Sequence, residues 1–214
     1  MRLKILLIVV LLLLPVQRIW TQPMGTDEVI ERLREVRERT KDFTADLVQE
    51  KTLAALKQKL VSQGKIRYKH PDKVYVEIFS PESTQMGFDG KTLLLYYKED
   101  GIAERYSAQS YPIIEKYLLF SQDPFQERLA QWKIVEDQES FLVIEIVPKG
   151  DDFPFDRARL RVSKMDWVIT AMEWVERSGD TTLLRYSNIQ LNTGLTDSAF
   201  ELLLPKDTKV TDVK

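Results

Sequence analysis

The feature that most constrains the fold is a repeated alternation of short strand-like segments and turn signals between residues 43 and 189. In residues 73–79, for example, Val74, Val76 and Ile78 fall on one face of an extended chain. This spacing predicts about ten or eleven antiparallel strands, too many for an open sheet to stay flat. The predicted strands are residues 43–49, 65–68, 73–79, 92–97, 102–106, 132–135, 141–147, 158–162, 167–175 and 182–189.

An amphipathic helix is expected before the strands. Thr26 is a suitable N-cap, and Asp27 and Glu28 follow in the first turn, where the helix dipole favours anions. Apolar residues then recur at three- and four-residue spacing, so the helix must pack on another element. The apolar positions are Val29, Ile30, Leu33 and Val36.

Two further short helices are predicted at residues 112–120 and 124–131, each with a proline near its start. The first is dense in apolar side chains for a connection between strands, which favours packing into or over the sheet. No low-complexity linker divides the chain. We therefore expect one domain over residues 23–214.

The first 22 residues resemble a secretory signal peptide. Arg2 and Lys4 precede an apolar run over residues 5–14, which is shorter than the roughly 20 residues that span a bilayer. The cleavage site is expected between residues 21 and 25, and an uncleaved interfacial anchor is the alternative. Export would place the mature chain outside the cytoplasm.

The chain has few of the residues that form catalytic or metal-binding sites. The chain has no cysteine and one histidine, His70, so disulfides, Ser-His-Asp triads and two-histidine metal sites are excluded. Residues 87–90 are interpreted as a turn, and Asp151-Asp152 as a solvated loop. No spacing selects a catalytic pair among the 33 acidic residues. A net charge of −2 gives no support for nucleic-acid binding. We expect no enzyme, metal or cofactor.

The predicted strand at residues 167–175 is apolar on both faces. Regular alternation would place Trp167, Ile169, Ala171 and Val175 on one face, with Val168, Met172 and Trp174 on the other. Both faces must then be covered. Ordinary packing against helices is one interpretation, and a curved sheet that encloses a ligand cavity is the other.

The order of motifs along residues 26–213 resembles the LolA family of periplasmic carriers of outer-membrane lipoproteins. After the signal-like segment and the helix come Asp42-Phe43-Thr44-Ala45-Asp46-Leu47-Val48-Gln49 and Gly64-Lys65-Ile66-Arg67-Tyr68-Lys69-His70-Pro71. The strand at residues 73–79, the segment Phe88-Asp89-Gly90-Lys91-Thr92-Leu93-Leu94-Leu95-Tyr96 and the ending Phe200 to Pro205 with Val210 complete the pattern.

The resemblance implies a mainly β, α+β fold: one curved antiparallel sheet forming an unclosed barrel, with the N-terminal helix and lid helices over an apolar cavity. It also implies the function. Such a carrier receives acylated lipoproteins from an ATP-driven inner-membrane transporter, shields them in the periplasm and passes them to an outer-membrane acceptor. We expect a monomer.

Candidate site residues follow from the resemblance and from the strand pattern. Val74 and Val76 match inward-facing cavity positions, and Ile78, Trp167 and Ile169 are further cavity candidates. The lid candidates are Ile113, Ile114 and Leu118.

His70 stands where the family often has an arginine that latches the lid. An imidazole has fewer donors and is mostly neutral above about pH 6.5. His70 is therefore either a weaker, pH-sensitive latch or only a residue at the end of a strand.

Three other functions remain open. The same fold could carry a glycolipid or another membrane lipid, because fold does not determine cargo. It could instead serve as a regulatory module that senses lipids or lipoproteins. An enzyme acting on lipid esters is the third alternative.

Overall fold

In the computed structural model, residues 24–110, 130–150 and 155–213 are described, and they form one helix, twelve strands and a 3₁₀ helix. The helix α1 spans Thr26–Arg39 and the 3₁₀ helix spans Asp197–Phe200. The strands are β1 (Asp42–Leu53), β2 (Gln58–Lys69), β3 (Lys73–Ser80), β4 (Thr84–Asp89), β5 (Thr92–Tyr97), β6 (Ile102–Ser107), β7 (Ala130–Asp137), β8 (Phe141–Pro148), β9 (Phe155–Ser163), β10 (Ile169–Glu176), β11 (Thr181–Leu191) and β12 (Lys209–Val213).

All twelve strands form a single sheet in the order β12-β6-β5-β4-β3-β2-β1-β11-β10-β9-β8-β7. The outermost strands, β12 and β7, do not pair with each other, so the sheet is not closed. The predicted mainly β fold with one unclosed sheet is confirmed. Every strand pair is antiparallel except β12 with β6, which is parallel.

The predicted strand count was too low because two strands were missed. Residues 87–89, interpreted as part of a turn, lie in β4, where glycine in the interior of a strand disguised the pattern. A side chain at Gly87 would contact Leu202 Cδ1 at 3.0 Å, so the C-terminal segment passes close to this strand. The other missed strand, β12, is short and its partner β6 is distant in sequence.

The helix α1 begins one residue earlier than predicted, because Thr26 was expected to be its N-cap. Thr26 is the first helical residue, and Gly25 occupies the N-cap position without a side-chain hydrogen bond. The apolar stripe of α1 packs on strands β7 to β10, as its spacing requires. This core cluster contains Val29, Ile30, Leu33, Ala130, Leu142, Ile144, Ile146, Phe155, Ala158, Leu160, Val162 and Met172.

The predicted faces of β10 are wrong, because the strand contains a β-bulge. The register with β9 shifts between Ile169 and Ala171, so the alternation does not continue through Thr170. Ile169 consequently lies with Met172 and Trp174, which pack together against the α1 core, and not with Ala171. Trp167 precedes the strand and has a positive φ of 59°.

The predicted helix at residues 124–131 was also wrong at its end. Ala130 and Gln131 lie in β7 and pair with Pro148 and Val147. The remainder of that helix, the helix predicted at residues 112–120, the signal-like segment and Asp151-Asp152 lie outside the described residues.

The C-terminal segment covers the outer face of β2 to β4. Arg67 donates a hydrogen bond of 3.0 Å to the carbonyl oxygen of Ala199, and Phe200 is buried. Asp197 forms ion pairs with Lys69 at 2.6 Å and Lys73 at 2.7 Å. One face of this half of the sheet is therefore covered by the chain itself, and the opposite face, called here the inner face, carries the candidate site.

Candidate functional site

A first apolar cavity lies between α1 and the inner face of the sheet. It encloses about 130 Å³. Helix residues Leu33, Val36 and Arg37 form one wall, and strand residues form the other. The remaining lining residues are Thr40, Phe43, Ala45, Tyr68, Trp167, Val168, Ile169, Tyr186, Ile189 and Leu191.

A second apolar cavity of about 280 Å³ continues along the inner face. Its lining is almost entirely aliphatic, aromatic or thioether side chains, as is usual for ligand cavities. The lining residues are Leu47, Gln49, Ile66, Val74, Val76, Ile78, Thr84, Met86, Leu95, Met172, Trp174, Leu184 and Tyr186.

The second cavity exists because the sheet curls. Leu95 on β5 and Trp174 on β10 both line it, although six strand spacings separate these strands in the sheet order. In a flat sheet this separation would be about 29 Å. The inner faces of the two halves of the sheet therefore turn toward each other, as the predicted curved sheet requires.

Tyr186 joins the two cavities, because its side chain lines both. It lies on β11 opposite Leu47 of β1. Ala45 and Leu47 share a face of β1 and line the first and second cavity respectively. The two cavities are thus neighbouring parts of one apolar inner surface.

The five predicted cavity residues divide between the two cavities. Val74, Val76 and Ile78 line the second, and Trp167 and Ile169 line the first. Val74 is almost fully buried, with 1% of its surface exposed, whereas Val76 is only half-buried. Their role in binding stays a prediction.

Several lining residues were missed by sequence reasoning. Leu184 and Tyr186 alternate along β11 and were detectable by that spacing. Met172 and Trp174 were assigned to the face opposite Ile169, because the bulge leaves no clear signal in the sequence.

Two buried hydrogen-bond donors at the cavities have no partner within the part of the chain that the structure describes. The Tyr186 hydroxyl and the Trp174 Nε1–H are both inaccessible and form no hydrogen bond to any described residue. Burial raises the pKa of the Tyr186 hydroxyl, so it remains protonated at physiological pH.

A carboxylate near the edge of the inner face is hydrogen-bonded to neighbouring side chains. Glu104 on β6 lies opposite Leu95 and accepts hydrogen bonds from Tyr106 at 2.8 Å and Tyr97 at 3.4 Å. Burial, with the nearby Glu104 charge, raises the pKa of Tyr97. Tyr97 therefore stays protonated and acts as a donor.

The predicted latch, His70, is exposed in the turn between β2 and β3. Its backbone N–H donates to the Lys41 carbonyl oxygen at 2.8 Å. The hydroxyl of Tyr68, a residue of the first cavity, donates to the Pro71 carbonyl oxygen at 3.0 Å in the same turn. The lid candidates Ile113, Ile114 and Leu118 lie outside the described residues, so the latch stays a prediction.

Within residues 24–110, 130–150 and 155–213, histidine and acidic side chains do not gather in any group of three or more suited to a metal ion. The same ranges contain no helix with the length and apolar character needed to cross a membrane.

Comparison with known sequences gives one consistent result. Residues 38–203 match the family described as "Outer membrane lipoprotein carrier protein LolA". An outer-membrane lipoprotein carrier protein from Actinobacillus succinogenes is 26% identical over 200 residues, covering 90% of this chain and 88% of the relative. A protein of the same name from Histophilus somni is 28% identical over 179 residues, covering 79% and 80%.

Solved structures share the fold at low identity. An uncharacterized conserved protein from Thermus thermophilus aligns with a TM-score of 0.59 and 12% identity, covering 89% of this chain and all (100%) of that one. MucB aligns with a TM-score of 0.51 and 8% identity, covering 82% and 62%. At these identities the two structures bear on the fold alone.

Proposed function

Because the chain belongs to the LolA family of outer-membrane lipoprotein carrier proteins, we propose that it binds the acyl chains of lipoproteins and carries them through the periplasm. Loading would come from an ATP-driven inner-membrane transporter, and delivery would be to the outer membrane through an acceptor there. The protein would act as a monomer that is exported by its first 22 residues.

The observation that supports this proposal most is the pair of apolar cavities that meet at Tyr186 on the inner face of the sheet. Each buried methylene contributes about 0.8 kcal/mol, so a 16-carbon chain represents roughly 12 kcal/mol of apolar transfer. A lipid with several such chains does not leave a bilayer for water unaided. It needs an apolar host and an energised loading step.

The proposed carrier needs no reactive group. Uptake and release require only that the apolar surface be accessible in one state and covered in another. An unclosed sheet suits this requirement, because its two end strands, β7 and β12, are not hydrogen-bonded to each other. We therefore propose binding without catalysis.

The direct test uses the protein purified after expression of the full chain. It is added to inner-membrane vesicles that contain the ATP-driven transporter and a triacylated lipoprotein. The expected result is ATP-dependent appearance of the lipoprotein in a soluble complex with this protein. Absence of any soluble complex, with a LolA carrier of known activity as the positive control, would contradict the proposal.

Native mass spectrometry of the protein isolated from the periplasm tests the alternatives. A copurifying acylated protein supports the lipoprotein carrier. A bound glycolipid without acylated protein would instead indicate a lipid carrier on the same fold. A stable complex with a signalling protein would indicate a sensor, and turnover of lipid esters would indicate an enzyme.

A further inference from the structure

The unpaired donors on the inner face are unusual for buried polar groups. Most buried hydroxyl and N–H groups have a hydrogen-bond partner, because desolvation without one is unfavourable. The Tyr186 hydroxyl and the Trp174 Nε1–H have none among the described residues, and both residues line the second cavity. By contrast, Glu104 on the same face is satisfied by two tyrosines.

The strand register separates the two donors along the cavity. Trp174 on β10 lies opposite Thr182 of β11, and Met172 lies opposite Leu184. Tyr186 is the next inward-facing residue of β11 after Leu184. The apolar pair Met172 and Leu184 therefore lies between the two donors, and Tyr186 marks the junction with the first cavity.

The hydrogen-bonding capacity of the two donors indicates which kind of ligand they can bind. An indole N–H only donates, and a protonated phenol that is buried beside apolar side chains needs an acceptor for its proton. A plain hydrocarbon offers no acceptor. The ester linkages of a glycerolipid offer carbonyl oxygens and no donor, and they lie beside acyl chains suited to apolar walls.

We propose that Tyr186 and Trp174 form a subsite that donates hydrogen bonds to the ester carbonyl oxygens of the cargo lipid. This inference rests on the proposed function, since it assumes that acyl chains occupy the cavities. It adds a specificity: the protein distinguishes ester-linked acyl chains from hydrocarbon chains without carbonyl groups. Without an acceptor, the two buried donors destabilise the empty protein. The bound lipid removes this destabilisation by accepting their hydrogen bonds.

The test compares two lipids of equal chain length, 1,2-dipalmitoylglycerol and 1,2-dihexadecylglycerol, in which ethers replace the esters. Each competes with a fluorescent fatty acid for the full-length protein. The wild type is expected to bind the ester at least about fivefold more tightly, the equivalent of one neutral hydrogen bond. Tyr186→Phe should lower this ratio without weakening ether binding.

A second variant and a second readout keep the test independent of folding effects. Trp174→Phe should lower the ester preference in part, and Ser187→Ala, on the opposite face of β11, should leave it unchanged. With ¹³C-labelled ester, the infrared carbonyl stretch should shift to lower frequency on binding to the wild type, and the shift should be reduced in Tyr186→Phe.

Two results would overturn the subsite. One is equal binding of ester and ether by the wild type. The other is an ester preference and carbonyl shift that persist in both Tyr186→Phe and Trp174→Phe. Failure of the wild type to bind either lipid is a different outcome, because it would remove the proposed function together with the inference.

Discussion

Asp42 and Thr193 are joined by two hydrogen bonds: Asp42 Oδ1 accepts from the backbone N–H of Thr193 at 2.7 Å and from its hydroxyl at 2.8 Å. The other carboxylate oxygen accepts from the backbone N–H groups of Gly194 at 3.0 Å and Leu195 at 3.3 Å. Asp42, at the start of β1, is buried. It therefore holds the turn that directs the C-terminal segment from β11 across the outer face.

Asp42→Asn should destabilise the protein by about 2 kcal/mol. The amide has one acceptor oxygen instead of two, and its NH₂ group would face backbone N–H donors. Urea unfolding followed by circular dichroism measures the change. Asp166→Asn, in an exposed turn, makes the same charge change and should have little effect. Equal stability of the two variants would show that the carboxylate does not hold the turn.

The stabilisation from Asp42 should depend on pH. Burial alone would raise the pKa of this carboxyl, but the bonds from Thr193, Gly194 and Leu195 outweigh burial and lower the pKa below the ordinary value of 3.8. Because the folded-state pKa is the lower one, the contribution is complete above the unfolded-state pKa. It is lost as the pH falls through the folded-state pKa.

The difference in unfolding free energy between the wild type and Asp42→Asn should accordingly be constant from about pH 7 to about pH 5 and shrink below about pH 4. Urea titrations at successive pH values measure it. A difference that grows on acidification would contradict the lowered pKa.

Gly64→Ala should be strongly destabilising, by about 3 kcal/mol or more. A Cβ at Gly64 would overlap the backbone carbonyl oxygen of Glu77 on the neighbouring strand β3, so β2 and β3 would have to separate. Gly25→Ala is the matched control, because nothing lies within 4 Å of a Cβ there. Thermal unfolding distinguishes them, and similar melting temperatures for both variants would contradict the close strand contact.

Sequence alone predicts those parts of the fold that repeat regularly. The faces of β3 follow from unbroken alternation, and the stripe of α1 follows from helical spacing, so Val74, Val76 and Leu33 were placed correctly on their elements. Alternation fails where the backbone departs from it. The bulge at Thr170 moves Met172 and Trp174 to the face of Ile169. No residue type in the sequence indicates this bulge.

Contacts between residues that are distant in the sequence also limit what can be predicted from it. A glycine stands inside strand β4, at Gly87, because the C-terminal segment lies close against this strand. The residues in contact there are more than a hundred positions apart in the sequence. The unpaired Tyr186 hydroxyl is likewise visible only once every neighbour is placed, since an aromatic residue in a strand ordinarily indicates packing.

Val76→Glu should reduce uptake of acylated lipoprotein at least about tenfold while the protein stays folded. Val76 lines the second cavity and is half-buried, so a carboxylate there can reach water in the empty protein but opposes an acyl chain. The same change at Val74 is less informative, because a residue that is only 1% exposed belongs to the core and its loss would unfold the domain. Phe79→Glu is the control on the same strand, because Phe79 is 49% exposed and lines neither cavity. Release of lipoprotein from inner-membrane vesicles measures uptake, and circular dichroism confirms folding. Normal uptake by a folded Val76→Glu protein would show that acyl chains do not occupy the second cavity.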